Sequence, residues 1–136
     1  MSADQVMEAI RSGMEGIFSC SVSPQYGDYV RVTTPLRYPD GERIDLFYKA
    51  SPEGVVLSDL GETVRWISHH LLDRDKLSEV VPPVEETYQV KMVRGRVESS
   101  YLENESLVEA LFRLGMACLA ISQTFSRDHQ LSMVGG

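Results

Sequence analysis

The stretch Arg43-Ile44-Asp45-Leu46-Phe47-Tyr48-Lys49, followed by Pro52-Glu53-Gly54, Val55-Val56-Leu57 and Ser58-Asp59-Leu60-Gly61-Glu62, decides the fold. In its first part Ile44, Leu46 and Tyr48 point one way and Arg43, Asp45, Phe47 and Lys49 the other, the period of a half-buried strand. The Pro-Glu-Gly turn then returns the chain into Val55–Leu57, and Asp59 with Glu62 three residues on reads as a capping box opening a helix. Strands this close in sequence pair antiparallel.

Upstream, Phe18–Val22 and Tyr29–Thr34 read as two further strands, the second stopping at Pro35. Tyr38-Pro39-Asp40-Gly41 reads as a turn. Residues 3–17 place Val6, Ile10, Gly13 and Ile17 on one helical face, widened by Met7 and Met14. Downstream, the helix opened by Asp59 carries Leu60, Val64, Ile67 and Leu71 as its expected buried stripe. Residues 74–87, polar and holding Pro82-Pro83, read as a linker or long loop. Tyr88–Val93 and Arg96–Ser100 read as strands broken at Gly95 by a tight turn or a bulge. A last helix is expected from about Asn104 to Phe125, with Leu107, Leu111, Leu114, Cys118, Ile121 and Phe125 at 4-3-4-3-4 spacing. Ser126–Gly136 reads as a flexible C-terminal tail. The expected class is α+β, an antiparallel sheet packed on helices in a two-layer sandwich, in the order α-β-β-β-β-α-β-β-α, forming one domain over residues 1–125.

The chain has 136 residues and a net charge of −7, from 20 acidic and 13 basic side chains. That balance argues against a general grip on nucleic-acid backbone. Cys20 and Cys118 are far apart and form no CxxC pair, so they read as free thiols in a reducing cytoplasm. Residues 1–17 lack the apolar core of a secretory leader, and the longest apolar run, Gly115–Ile121, is too short to cross a bilayer. No membrane contact and no cofactor are expected.

From Phe18 to about Leu72 the chain resembles an uncharacterised prokaryotic and phage family, domain of unknown function 1828. The resemblance rests on Gly27-Asp28 before a β-run, then Thr34-Pro35, Asp40-Gly41 before an alternating strand, and Val56-Leu57-Ser58-Asp59-Leu60-Gly61-Glu62-Thr63 closing into a helix. In the family's pattern a second acidic residue often follows the aspartate; here Leu60 stands there, which speaks against a metal role for this loop. The resemblance implies a gene of phages or mobile elements and a part in host–phage conflict. It implies no activity.

Several clusters invite chemistry. Asp59 and Glu62, with Asp40 and Asp45, compose a carboxylate set for a divalent cation in a hydrolase; a helix cap explains both acids at their spacing. His69 and His70 are adjacent, so on a helix they point about 100° apart and do not converge on one ion; His69 is instead placed to pair with Asp73. Cys118 falls on the buried stripe of the last helix and Cys20 in a strand, settings of inert thiols. There is no Gly-rich phosphate loop and no GxSxG elbow. On strand faces, Tyr29 with Arg31, and Arg43 with Phe47 and Lys49, form a basic-aromatic platform for nucleic acid if Lys91 and Arg96 join them; a solvated face with cross-strand ion pairs is the plainer reading. Asp73, Asp75, Glu79, Glu85 and Glu86 suggest either a nucleic-acid mimic or a solvated acidic loop. Met116 and Leu119 on the last helix suggest a homodimer contact.

The expected function is a non-enzymatic protein-binding module, a phage or mobile-element factor that modulates a nucleic-acid-processing defence system. The alternatives are a nucleic-acid-binding domain using Tyr29, Arg31, Arg43, Phe47, Lys49, Lys91 and Arg96, and a metal-dependent hydrolase.

Overall fold

The computed structural model describes residues 19–22, 29–69 and 73–135, and the side chains of 29–50, 52–69 and 73–125. The expected helix over residues 3–17, the turn at 23–28, His70 and Leu71 lie outside the described residues. The elements are β1 (Ser19–Val22), β2 (Val30–Arg37), β3 (Arg43–Ser51), β4 (Gly54–Ser58), α1 (Glu62–Ser68), α2 (Arg74–Tyr88), β5 (Lys91–Val93), β6 (Arg96–Ser99) and α3 (Leu107–Gly135). The protein is α+β. Among the described residues six strands form one sheet in the order β1-β2-β3-β4-β6-β5, every neighbour antiparallel.

Alternation sets the inner face of that sheet. Val30, Val32, Ile44, Leu46, Tyr48, Leu57 and Val97 are buried, and they pack with Leu111, Leu114, Cys118 and Ile121 of α3 in one cluster. By length and composition Leu107–Phe125 is apolar enough to cross a bilayer, although it has no unbroken apolar run of that length. Its 4-3-4 stripe is instead buried in the core. Gly115 lets α3 approach β2 closely, since a Cβ there would stand 2.6 Å from Leu36 Cδ1. The helix continues through residues 126–135, the stretch that reads as a tail in the sequence.

Several expectations need correction. Strand β2 does not stop at Pro35 but runs to Arg37. The register is irregular between Thr33 and Arg37, so the ladder makes no demand on the missing proline N–H. Thr34 holds the stretch together: its hydroxyl donates to the Ile44 carbonyl at 2.7 Å and accepts the Leu36 N–H at 3.2 Å.

Residues 74–87 are not a loop. They form most of α2, with Pro82 and Pro83 inside the helix. The Asp73 carboxylate caps its start by accepting the Lys76 N–H at 3.1 Å, so Asp73 is a cap and not the partner expected for His69. Leu77, Val80, Val81, Val84 and Tyr88 supply a helical stripe against the core. That burial outweighs two missing N–H donors, and both prolines face solvent. The acids Asp75, Glu79 and Glu86 therefore decorate an exposed helix face. Glu85 does more: its carboxylate accepts the Met92 N–H at 3.0 Å, which occupies the edge of β5.

The buried stripe of α1 is Thr63, Trp66 and Ile67, whereas Leu60 and Val64 are only half-buried. The helix begins at Glu62, after Leu60 and Gly61 adopt left-handed backbone at φ 51° and 84°, so the stripe is shifted from the one expected. At Arg94-Gly95, φ values of 53° and 79° make a two-residue hairpin turn between β5 and β6, deciding between the turn and the bulge.

Candidate functional site

Asp59 sits where β4 meets α1 and is fully buried. Its Oδ1 accepts the N–H groups of Gly61 at 2.9 Å and Val97 at 2.8 Å; its Oδ2 accepts the Thr63 N–H at 3.0 Å and lies 4.0 Å from the Cys118 thiol. The N-cap residue of α1 is therefore Gly61 and not Asp59 as expected; from two residues further out the Asp59 carboxyl still takes up an N–H of the first helical turn, and it fastens the β4–α1 junction to β6. Glu62, expected to complete the cap, is found paired with Arg65 at 3.1 Å. Asp40 accepts the Glu42 N–H in its turn, and Asp45 binds Arg31. The acids proposed as a metal set are therefore engaged separately, and among the described residues no group of three or more His, Cys, Asp or Glu side chains is placed to hold a metal.

Around Asp59 lies a small buried polar network. The Tyr38 hydroxyl meets Thr63 Oγ1 at 3.0 Å, and the Tyr38 ring stacks on Trp66 with centroids 5.4 Å apart. Burial, then the nearby Cys118 thiol, pushes the Tyr38 phenol well above its ordinary pKa. Burial, then Asp59, likewise pushes the Cys118 thiol up, which keeps it in the protonated, unreactive form. The side chain of Cys20 lies outside the described residues; His69 is exposed.

The strand-face candidates do share one face. Register aligns Ser21, Arg31, Phe47, Ser58, Glu98 and Lys91 in a row across the sheet, with Arg96 two residues from Glu98. Lys49 extends over the Tyr29 ring, its Nζ 5.4 Å from the centroid. The row is not a continuous platform, however. Phe47 is only 1% exposed and Ser58 is fully buried, so the middle of the face offers no ring for stacking. Phe47 was expected at the surface because it alternates with Ile44, Leu46 and Tyr48; β3 is in fact buried on both sides at that point. Arg31 is also paired with Asp45, and an acidic residue, Glu98, stands opposite Lys91 in the register. On α3, Met116 is exposed and Leu119 half-buried.

Sequence reading did not anticipate a cleft of about 400 Å³ between the β2–β3 hairpin and α1. Strand β3 gives it Arg43, Asp45 and Phe47; helix α1 gives it Glu62, Arg65 and Trp66; Glu42 and His69 stand beside them. Its signal was present as the pairing of an outward β3 face with a helix only a few residues later, but closure depends on Tyr38 stacking on Trp66, a contact between residues 28 apart in sequence (66 − 38).

The family model described as Domain of unknown function DUF1828 matches residues 34–121, more than half of the chain. The match begins at Thr34, so it leaves out the Phe18–Thr33 part of the resemblance read from the sequence, and it runs on past Leu72 to take in α2, the β5–β6 hairpin and about half of α3. No curated protein and no solved structure matches.

Proposed function

The chain belongs to the DUF1828 family, and we propose that it is a non-enzymatic, cytoplasmic protein-binding module, a phage or mobile-element factor that modulates a nucleic-acid-processing partner. The observation that carries this reading is the mixed-charge cleft between the β2–β3 hairpin and α1. Its opposed side chains and largely buried rings suit side-chain contacts with a protein surface more than a run of phosphates and bases. The second reading, nucleic-acid binding, draws on the shared face of Tyr29, Arg31, Arg43, Lys49, Lys91 and Arg96; the buried Phe47 and the carboxylates of Asp45 and Glu98 weigh against it.

The test is affinity capture from the source cell, with the captured protein identified by mass spectrometry and the capture repeated with Arg43→Glu. One identified protein, held by wild type and lost by the variant, is expected. Metal-dependent turnover of nucleic acid or nucleotide by the purified chain, or low-salt nucleic-acid binding that Arg31→Glu and Arg43→Glu abolish, overturns the reading.

A further inference from the structure

Helix α3 carries two stripes. Leu107, Leu111, Leu114, Cys118, Ile121 and Phe125 form the one in the core. The opposite side of the same helix is lined by Glu109, Phe112, Met116, Leu119 and Gln123, spaced 3-4-3-4, the repeat of a helix–helix seam. A solvated helix face normally carries charges along its length. From residue 107 to 125 the charged side chains are Glu109 and Arg113, and Arg113 is turned back onto Glu105 and main-chain carbonyls. The middle of the outer stripe is therefore apolar: Met116 is 39% exposed, and Phe112 and Leu119 are half-buried. Its polar residues, Glu109 and Gln123, stand exposed at the two ends.

This stripe is complementary to its own reverse about Met116. Glu109 and Gln123 lie seven residues to either side (116 − 109 and 123 − 116), and Phe112 and Ala120 lie four residues to either side (116 − 112 and 120 − 116). A two-fold axis through Met116 therefore sets Met116 on Met116, the large Phe112 on the small Ala120, and Glu109 on Gln123. Glu109 accepts the Ser106 N–H on Oε1 at 3.3 Å, which leaves Oε2 for the Gln123 amide. A two-fold pair demands this kind of self-complementarity, and an unlike partner does not. We infer that α3 of one copy docks antiparallel on α3 of a second copy, with Met116 on the axis. A parallel pair would set Glu109 against Glu109. A bilayer surface draws helices whose apolar face is flanked by lysine and arginine; this face is flanked by Glu109 and by an arginine already engaged within the chain.

The experiment is sedimentation equilibrium on the full chain from micromolar to millimolar concentration. Wild type should pass from monomer to dimer over that range. Met116→Glu places two carboxylates on the axis and should weaken the dimer at least about tenfold; because Met116 is exposed within the chain, the urea midpoint of the monomer should stay that of wild type. The register is read by cross-linking in a Cys20→Ser background, where the remaining Cys118 is buried. With a short bismaleimide, Glu109→Cys mixed with Gln123→Cys should give a covalent dimer that neither gives alone, and Met116→Cys should link to itself. Three results overturn the inference. A chain that stays monomeric leaves the stripe to some other cover. A dimer that Met116→Glu does not weaken uses another surface. Self-linking of Glu109→Cys makes the helices parallel.

Discussion

Arg113 and Glu105 form a two-pronged pair, with Nε to Oε2 and Nη2 to Oε1 both at 2.8 Å. The same guanidinium donates to the carbonyls of Tyr88, Gln89 and Ser100, so one side chain gathers the end of α2, the exit of β6 and the start of α3. Hydrogen bonding to Arg113 holds the Glu105 carboxyl below its ordinary pKa. A depressed folded-state pKa means stabilisation that is present above the ordinary carboxylate range and is lost as pH falls through the folded value. Urea midpoints measured down an acid series should therefore drop less steeply for Glu105→Gln than for wild type. Arg113→Ala should cost about 3 kcal/mol or more, because it strands a mostly buried carboxylate and the carbonyls together.

Asp59→Ala removes the acceptor for Gly61, Thr63 and Val97 N–H groups at once. Buried donors left without partners cost about 1–3 kcal/mol each, not additively, so a loss of at least about 3 kcal/mol is expected in urea unfolding. Under the fastening role, magnesium, manganese or zinc should produce no heat of binding in calorimetry with wild type. A metal-dependent rise in wild-type stability that Asp59→Asn abolishes would contradict that role.

Gly115→Ala poses a question of sign. Alanine gains roughly 1 kcal/mol in helix propensity over glycine, but its Cβ would press on Leu36 Cδ1 at 2.6 Å, and overpacking typically costs about 1–3 kcal/mol. Net destabilisation is expected in the wild-type background. In a Leu36→Ala background the obstacle is gone, and the same change should stabilise. A double-mutant cycle in urea reads the reversal directly; parallel effects in both backgrounds would refute the close approach.

Tyr38 gives the alkaline counterpart. Its phenol is raised by burial above the ordinary value of 10.0, so its contribution is present below that pH and is lost as pH rises past it. Tyr101, raised mainly by burial and then by Tyr48, adds in the same direction. The stability of wild type should fall as pH climbs beyond 10, and Tyr38→Phe should flatten part of that fall. Phenolate absorbance of the folded protein should lag behind that of the unfolded chain.

Much of the fold was legible because the relevant signals are local. The alternation in Arg43–Lys49, the turn around Asp40-Gly41 and the strict spacing from Leu107 to Phe125 each express a single element's own period. What escaped was decided by contacts between elements. Pro82-Pro83 reads as a break until Val81 and Val84 are seen to be buried against the core. Phe47 reads as an outward residue because a period-two pattern gives only its side of the strand, not whether that side is covered. Asp59 was read as a cap from Glu62 nearby, yet its bond to Val97 spans 38 residues and left no local mark. The cleft was missed for the same reason, since its walls come from separate elements.

The Glu85 carboxylate on the Met92 N–H also bears on how this protein can change over generations. With that main-chain donor already occupied, β5 is a poor place for another chain to join the sheet by backbone pairing. A chain meeting the sheet at this edge would be left to side-chain contacts, and such contacts can be rewritten one residue at a time while the register of the sheet stays fixed. A partner docking beside this edge would thus be exchangeable for another through a few surface substitutions, with little need to refold.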